Sequence, residues 1–336
     1  MIASPSAAPA TVLIVGAGII GAALAYRLAA AGARVSVLDS GSAGHGATRH
    51  SFGWIGRSPE GDTPHADLRA RGSEEWDVLA REVPGLIVER SGALVWGEYF
   101  SRPGARPEPT ASLHEPALLN PPARAEHRAG DGSVDPLRAT EALLAAARGH
   151  GARVLPGTPV TRVLRDAAGV ARGVEAHGKP LYADTVIIAA GTGSPALCAT
   201  AGVEMNLTPA PAVMVRLNAP PGLLRGIIAC DEAEARQYPD GTVLMPRDYE
   251  GEIDAADLER SGRAAAEYFR SALRGADHTQ WLDTTIGWRP MPAGGEPYLG
   301  FSSTPGLYLA VAHPGIMLAP AIALRAVADI LGTRAS

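Results

Sequence analysis

Residues 11–40, TVLIVGAGIIGAALAYRLAAAGARVSVLDS, decide the fold because they contain each part of a dinucleotide-binding unit in order. Thr11–Val15 is a β-branched, apolar run typical of a buried parallel strand. Gly16, Gly18 and Gly21 follow it as GxGxxG. In this motif the first glycine permits a tight turn, the second lets the backbone approach a pyrophosphate, and the third lets helix pack on strand.

The residues after the glycines complete the unit. The Ala/Leu-rich run predicts a helix over residues 19–31, whose first N–H groups and positive dipole end are suited to phosphates. Arg34–Leu38 predicts a second strand, and Asp39 stands at its tip, where a carboxylate can accept both hydroxyls of an adenosine ribose. GxGxxG by itself is weak evidence, but strand, helix, second strand and acid together predict a Rossmann-type site. NAD and FAD enzymes share this unit.

Two later blocks carry a family resemblance. Residues 131–197 contain Val134-Asp135-Pro136, a predicted helix over 136–150, Gly151-Ala152, a hairpin, and a strand over 187–191 that ends in Ala-Ala-Gly. Residues 286–331 read IGWRPMPAGGEPYLGFSSTPGLYLAVAHPGIMLAPAIALRAVADIL. Together with the N-terminal unit, these blocks resemble the D-amino-acid oxidase, glycine oxidase and sarcosine oxidase family of flavoproteins. The resemblance implies FAD as cofactor and oxidation of a small amine or amino acid by hydride transfer to flavin N5, giving an imine that water hydrolyses.

The predicted fold class is α/β with an α+β second domain. We expect a Rossmann-type FAD-binding domain, discontinuous in sequence, at 8–56, 131–208 and 284–336, and a smaller antiparallel-sheet substrate domain at 57–130 and 209–283. In the substrate domain the patterns predict helices over 66–81 and 256–273, strands over 85–88, 93–96, 210–217, 226–230 and 242–245, and an irregular Pro-rich stretch over 102–128.

Composition excludes several classes of protein. A chain of 336 residues suits two packed domains, and a net charge of −5 provides no basic field for nucleic acid. The two cysteines, Cys198 and Cys230, exclude a disulfide framework, fit a reducing cytosol and are expected to be small buried hydrophobes. Because the N-terminus lacks a basic secretory n-region and no long apolar run is free of charge or proline, we expect a cytoplasmic enzyme with no membrane span. No metal site is expected.

The resemblance also implies the cofactor contacts. The loop over residues 46–56 would wrap the isoalloxazine ring, and the start of a helix over 316–331 would aim N–H groups at its pyrimidine end. The expected FAD-binding residues are Gly16, Gly18, Ile19, Ile20, Gly21, Asp39, Ser40, Thr48, Arg49, His50, Ser51, Val160, Ala190, Gly191, Gly315, Ile316 and Met317. Pro314 stands where relatives more often carry a residue with an N–H, which bears on the geometry of this loop.

His50 has two interpretations. Gly46 and Gly53 frame it as in the dimethylglycine and sarcosine dehydrogenase branch, where a similar histidine bonds covalently to the flavin. The alternative, which we favour, is a histidine packed or hydrogen-bonded in the flavin loop with FAD held non-covalently. His45, nearer the pyrophosphate, is expected to face solvent.

Three residues are candidates for the chemistry. Arg289, in GWRP, falls where the family places the arginine that grips a substrate carboxylate, and a planar guanidinium can make two parallel hydrogen bonds to one. Tyr238, with Arg236 beside it, is the candidate tyrosine of the substrate pocket, although both residues equally fit its rim. His313 directly precedes the flavin-contacting helix.

Several alternatives stay open at this level. Sarcosine oxidase relatives use a lysine over the flavin for oxygen, but Lys179 is the only lysine and lies in an expected hairpin turn. The partners are therefore a small-molecule amine or amino-acid substrate and either oxygen or another electron acceptor, and the oligomeric state stays open. A secondary-amine dehydrogenase and a flavoprotein subunit that needs a partner are the alternative functions. An NAD-linked dehydrogenase has no need of the C-terminal block, and a flavin monooxygenase would carry Gly-Asp in place of Ala312-His313.

Overall fold

The structure is a computed structural model that describes residues 9–56, 66–97 and 111–332. In chain order its strands are β1 Thr11–Val15, β2 Arg34–Leu38, β3 Trp54–Ile55, β4 Ala93–Val95, β5 Glu126–Arg128, β6 Gly132–Ser133, β7 Arg153–Leu155, β8 Val160–Arg165, β9 Ala171–Ala176, β10 Lys179–Tyr182, β11 Thr185–Ile188, β12 Leu207–Asn218, β13 Ile227–Ala229, β14 Glu234–Gln237, β15 Thr242–Arg247, β16 Gln280–Pro292, β17 Tyr298–Phe301 and β18 Leu307–Val311. Its α-helices are α1 Ile19–Ala30, α2 Ala66–Glu82, α3 Ala111–His114, α4 Pro136–Gly149, α5 Ser194–Thr200, α6 Ala255–Ala272 and α7 Gly315–Leu331.

A six-stranded sheet in the order β17-β18-β11-β1-β2-β7 forms the centre of the nucleotide-binding part. All of its neighbouring strands are parallel except the edge pair β17 and β18. Helices α1, α4 and α7 cover one face, and the antiparallel sheet β8–β10 with α5 covers the other. Since both faces are buried, β1 can be a continuous apolar run, as its sequence predicted.

Two of the motif glycines are required by the backbone itself. Gly16 has φ +113°, and a Cβ there would collide with the carbonyl oxygen of Ala189 beyond β11. A Cβ on Gly21 would collide with the carbonyl oxygen of Gly16, so α1 can pack this closely on β1 only with glycine at that position. The first and third glycines therefore fix the turn and the packing of the helix.

A second, seven-stranded sheet has the order β16-β12-β15-β14-β13-β4-β5. Its longest pair, formed by the edge strand β16 and its neighbour β12, runs from Leu207 opposite Pro292 to Asn218 opposite Gln280, with a bulge between Arg216 and Leu217. The sheet is antiparallel, as predicted, except that β4 and β13 pair in parallel. The apolar faces of α6 and of the short α3 pack on this sheet.

The proposed domain boundaries need one correction. Residue 284 lies inside β16, which pairs with β12 along its whole length, so residues 284–292 belong to the second sheet. Parts of the predicted domains lie outside the described residues, namely residue 8, residues 57–65 and 98–110, and residues 333–336. The remaining division into two domains stays a proposal.

Two local predictions were also wrong. Residues 85–88 form no strand, because Gly85, with φ +80°, turns the chain at the end of α2 and Leu86 packs into the core beside α1. The stretch predicted as irregular over 102–128 contains α3 and β5 in its described part, while residues 102–110 lie outside the described residues. The other predicted helices and strands are present with shifts of a few residues at their ends.

Helix α2 supports the beginning of α7. The fully buried Trp76 donates its indole N–H to the carbonyl oxygen of Ile316 at 3.0 Å. One turn earlier, Gly72 lies so close to the carbonyl of Met317 that a Cβ would collide with it. The α2 residues on this face are thus fixed beside the first turn of α7.

Both cysteines are buried and free, as expected, and burial raises the pKa of the Cys198 thiol to about 11. Among the described helices, none has the length and apolar character needed to cross a bilayer.

Candidate active site

A cavity of about 970 Å³ lies between the carboxyl edge of the six-stranded sheet and one face of the second sheet. Its floor is formed where β1, β2, β11 and β18 end, and its roof by parts of β12 and β16. Ligands of open α/β sheets bind outside the carboxyl ends of the strands, and this volume is at the upper end of the usual range for small-molecule sites.

The structure brings most of the predicted FAD-binding residues to the wall of this cavity. They are Gly16, Gly18, Ile19, Ile20, Asp39, Ser40, Thr48, His50, Ser51, Val160, Ala190, Gly191, Gly315, Ile316 and Met317. Gly21 and Arg49 are not part of the wall: Gly21 packs α1 on β1, and Arg49 is exposed.

The start of α1 faces the cavity without a side-chain cap from its N-cap residue, Gly18. The first N–H groups of a helix have no intrahelical acceptor. Here the buried hydroxyl of Thr48 accepts from the N–H of Ile19 at 3.1 Å, and a Cβ on Gly18 would lie 3.2 Å from the same oxygen. Glycine at this position therefore keeps the wall open in front of the first turn of the helix.

Asp39 is held at the end of β2 with acceptor capacity to spare. Its carboxylate accepts from the N–H of Ala17 at 2.6 Å and of Gly41 at 2.8 Å, and only 9% of the residue is exposed. A carboxylate has about four acceptor positions, so positions remain for the hydroxyls of a ribose. His45 is exposed, as expected, and its Nδ1 lies 3.1 Å from the Asp39 carboxylate.

The start of α7 is a second uncapped helix end at the same cavity. Its N-cap is Pro314, which forms no side-chain cap, and Gly315, Ile316 and Met317 line the wall. Because Pro314 precedes the helix, its missing N–H costs no internal helical hydrogen bond. A Cβ on Gly315 would meet only Ile20, at 3.6 Å, so packing of the described atoms does not require glycine there.

His50 lies in the wall under β16. Its Nδ1 is 2.9 Å from the hydroxyl of Thr285, and a Cβ on Gly287 would collide with its side chain. Burial, and then the positive charges of Arg49 and Arg216, lower the pKa of His50 below its ordinary value. The half-buried imidazole is therefore neutral at physiological pH and fits the packed, hydrogen-bonded interpretation.

Arg289, His313 and Arg69 from α2 all line the cavity, and the charges of both arginines act on His313, so we call the part of the wall that they form the basic end. Nη2 of Arg289 donates to the carbonyl of Pro211 at 3.2 Å, whereas its Nε is buried without a hydrogen-bond partner. Burial, then the charge of Arg289 and that of Arg69, lower the pKa of His313 to about 4. His313 is thus a neutral imidazole near two cations.

Tyr238 is not among the residues that line the cavity, so its role in the substrate pocket stays a prediction. Its hydroxyl accepts from Nη2 of Arg236 at 2.8 Å. Arg236 is 2% exposed and also donates to the carbonyls of Phe52 at 2.6 Å and Val134 at 3.0 Å. Because its N–H groups are used in this way, Arg236 joins the second sheet to the loop over residues 46–56.

Several residues of the cavity wall could not be predicted from the sequence. Arg69 stands in a helix that reads as a charged surface helix, and Glu234 lies on a strand where a cavity-facing acid cannot be told from a solvent-facing one. Asp131, which accepts from the indole of Trp54 at 2.9 Å, also lines the wall. Lys179 is exposed and lies outside it. The described residues contain no group of three or more potential metal ligands.

The chain is similar in sequence and in fold to known FAD-dependent oxidoreductases. The family model described as FAD dependent oxidoreductase, DAO, matches residues 11–329. The glycine oxidase of Geobacillus kaustophilus (strain HTA426) is 27% identical over 354 residues, which cover 95% of this chain and 92% of that protein. The crystal structure of glycine oxidase from Geobacillus kaustophilus has a TM-score of 0.82 at 23% identity, covering 97% of this chain and 96% of the other. The L-proline dehydrogenase structure from P. horikoshii has a TM-score of 0.80 at 21% identity, with 97% and 94% covered.

The lowered pKa of His313 predicts a pH-dependent stability. Between its folded pKa of about 4 and its ordinary value of 6.5, the unfolded chain binds a proton that the folded chain does not. The free energy of unfolding should therefore fall as pH drops through this window, by at most roughly 3 kcal/mol from this residue. In urea unfolding at pH 7.5 and pH 4.5, His313→Gln should lose less stability than wild type. An equal loss in both proteins would show that His313 is protonated as easily in the folded state as in the unfolded state.

Proposed function

The chain belongs to the DAO family of FAD-dependent oxidoreductases, and we propose that it oxidises a small amine or amino acid that carries a carboxylate. The main support for this proposal is the position of Arg289 in the cavity wall and its unpartnered Nε. Its guanidinium lines the cavity beside the start of α7, and its Nε is buried without a hydrogen-bond partner. A buried donor without an acceptor costs free energy, and a bound carboxylate would supply one.

The cavity wall fits FAD at two places. The start of α1, where the N-cap Gly18 supplies no side-chain cap, and the spare acceptor positions of Asp39 suit the pyrophosphate and the ribose. The uncapped start of α7 offers N–H groups and a positive dipole end at the other helix. When bound, FAD supplies a two-electron acceptor that takes a hydride from the carbon next to the amine nitrogen.

The side chains at the basic end bind and position the substrate. Arg289 holds the carboxylate with two N–H donors, which fixes the orientation of the amine carbon. His313 is neutral at physiological pH because of its low pKa, so it donates or accepts one hydrogen bond and adds no charge. The N–H groups at the start of α7 support negative charge on this side of the cavity.

A second candidate function differs only in the electron acceptor. The single lysine of the chain is exposed and lies outside the cavity wall, so the cations near the basic end are arginines. This observation favours, as the alternative to an oxidase, an amine dehydrogenase that passes its electrons to a carrier other than oxygen.

Substitution of Arg289 tests the proposed function. In anaerobic mixing with a panel of amino acids and amines, wild type should lose its flavin absorbance with carboxylated substrates. Arg289→Ala should weaken binding of these substrates by about 1.5–3 kcal/mol and leave amines without a carboxylate little changed, because only the former lose a partner. Arg289→Lys should recover part of the loss, since it keeps the charge and loses the planar fork.

Arg138→Ala, a change of an arginine with an exposed side chain on α4, serves as the control and should match wild type. Equal losses on carboxylated and uncarboxylated amines would make Arg289 a structural residue. Failure of every amine to bleach the flavin would exclude amine oxidation.

We further propose that FAD is held without a covalent bond. The support is the hydrogen bond between Nδ1 of His50 and Thr285, together with the close packing of His50 against Gly287. Acid precipitation of wild-type protein should leave a colourless pellet and a yellow supernatant. A yellow wild-type pellet that becomes colourless in His50→Ala and stays yellow in His45→Ala would instead establish a bond through His50.

A further inference from the structure

The basic end of the cavity contains two guanidinium groups from separate parts of the fold. Arg289 comes from β16 in the second sheet and Arg69 from the first turns of α2. Arg69 lies one turn before Gly72, which touches the carbonyl of Met317 at the start of α7. Since residues three apart lie on the same side of a helix, the packing of α2 on α7 fixes Arg69 beside the cavity.

Both guanidinium groups act on the same imidazole. After burial, the charges of Arg289 and Arg69 are the causes that lower the pKa of His313, and no carboxylate among the described residues contributes. Coulomb interactions weaken with distance, so both cations lie near His313 in the cavity wall. One of them is enough for a substrate with a single carboxylate.

Neither arginine has an acidic partner among the residues that the structure describes. Within the described part of the chain, the only hydrogen bond of Arg289 goes to the carbonyl of Pro211, and Arg69 has no hydrogen bond or ion pair. Other half-buried arginines of this chain are paired, such as Arg27 with Glu75 and Glu82. Two cations that share one partly desolvated pocket without a counter-charge repel each other, and a ligand with two negative charges removes that repulsion.

The acids of the wall do not supply this counter-charge. Asp39 is held by two N–H groups at the α1 end, and Asp131 accepts from Trp54. Glu234 also lines the cavity, but it is not among the groups that influence His313.

We propose that the substrate is a dicarboxylic amine, either an acidic amino acid or a secondary amine that bears two carboxylates. Arg289 binds the carboxylate next to the reacting carbon, and Arg69 binds the second carboxylate and so determines specificity. This inference rests on the proposed function, because it assigns the substrate class of the same site.

Binding of unreactive anions tests the arginine pair independently of turnover. Malonate, succinate and glutarate, with acetate and propionate for comparison, are titrated into the FAD-loaded protein and followed by calorimetry and by the flavin spectrum. The best dicarboxylate should bind wild type at least about 10-fold more tightly than the monocarboxylates. Arg69→Gln should remove this preference with less than about a 2-fold change for acetate, and Arg69→Lys should restore part of it.

Arg71→Gln provides a matched control, because Arg71 is exposed, lies on the same helix and is not part of the cavity wall. It should retain the full preference for dicarboxylates. A wild-type protein that binds succinate no better than propionate, or an Arg69→Gln protein that keeps the preference, overturns the inference.

The rate of anaerobic flavin reduction then tests whether Arg69 and Arg289 select a dicarboxylic substrate. Matched compounds are N-methylglycine with iminodiacetate, and D-alanine with D-aspartate and D-glutamate. The expected result is faster reduction by a dicarboxylic member, with a loss of about 10- to 100-fold in Arg69→Gln that the monocarboxylic member does not show. Equal losses on both members would assign Arg69 to support of the flavin and overturn its role in specificity.

The two proposals can fail separately. Reduction by monocarboxylic amines alone would keep the proposed function and overturn the dicarboxylic substrate. If no amine reduces the flavin, the proposed function fails, and the titration with dicarboxylates still upholds or overturns the pairing of Arg69 with Arg289.

Discussion

Helices α1 and α7 begin after β1 and β18, strands that lie on either side of β11, and both present their first N–H groups to one cavity. This convergence depends on close packing. Alanines fill the buried faces of both helices, Gly21 lets α1 approach β1, and α2 holds the start of α7 through Trp76 and Gly72. The N–H groups of two helix ends and their dipoles make the cavity attractive to anionic groups at two separate places. The rest of the site is arranged around these two helix ends.

The second sheet places the side chains that would contact the substrate opposite this floor. Strand β16 contributes Thr285 and Gly287 above His50, and Arg289 at the basic end. Arg236 joins this sheet to the nucleotide-binding part, because its guanidinium donates to the carbonyl of Phe52 in the loop over residues 46–56 and to that of Val134 after β6. Arg236 and Arg289 illustrate two uses of arginine: the first is buried with its donors occupied, and the second is half-buried with Nε unpaired. The unpaired one is available to a ligand.

Parts of the fold that depend on local sequence could be predicted from it. The glycines at 16 and 21, the strands on either side of α1, and Asp39 are readable because each role is set by neighbours within one βαβ unit. The strand predicted at 85–88 is absent. Leu86 is apolar because it packs into the core beside the helices, and a short apolar run does not distinguish a buried strand from another buried segment. The surroundings of Tyr238 could not be predicted, because its partner Arg236 also binds Phe52 in the loop over residues 46–56, which is far away in sequence. Arg69 reaches the site through contacts between α2 and α7 that are far apart in sequence, so no local pattern marks it.

The central claim is that the cavity between the two helix ends binds a flavin dinucleotide, and equilibrium titration with FAD and NAD tests it most directly. The protein should bind one FAD per chain and should not bind NAD tightly, and its affinity for FAD should fall by about 10- to 100-fold in Asp39→Ala, where a carboxylate acceptor is lost. A colourless protein that binds NAD tightly and ignores FAD would contradict the account.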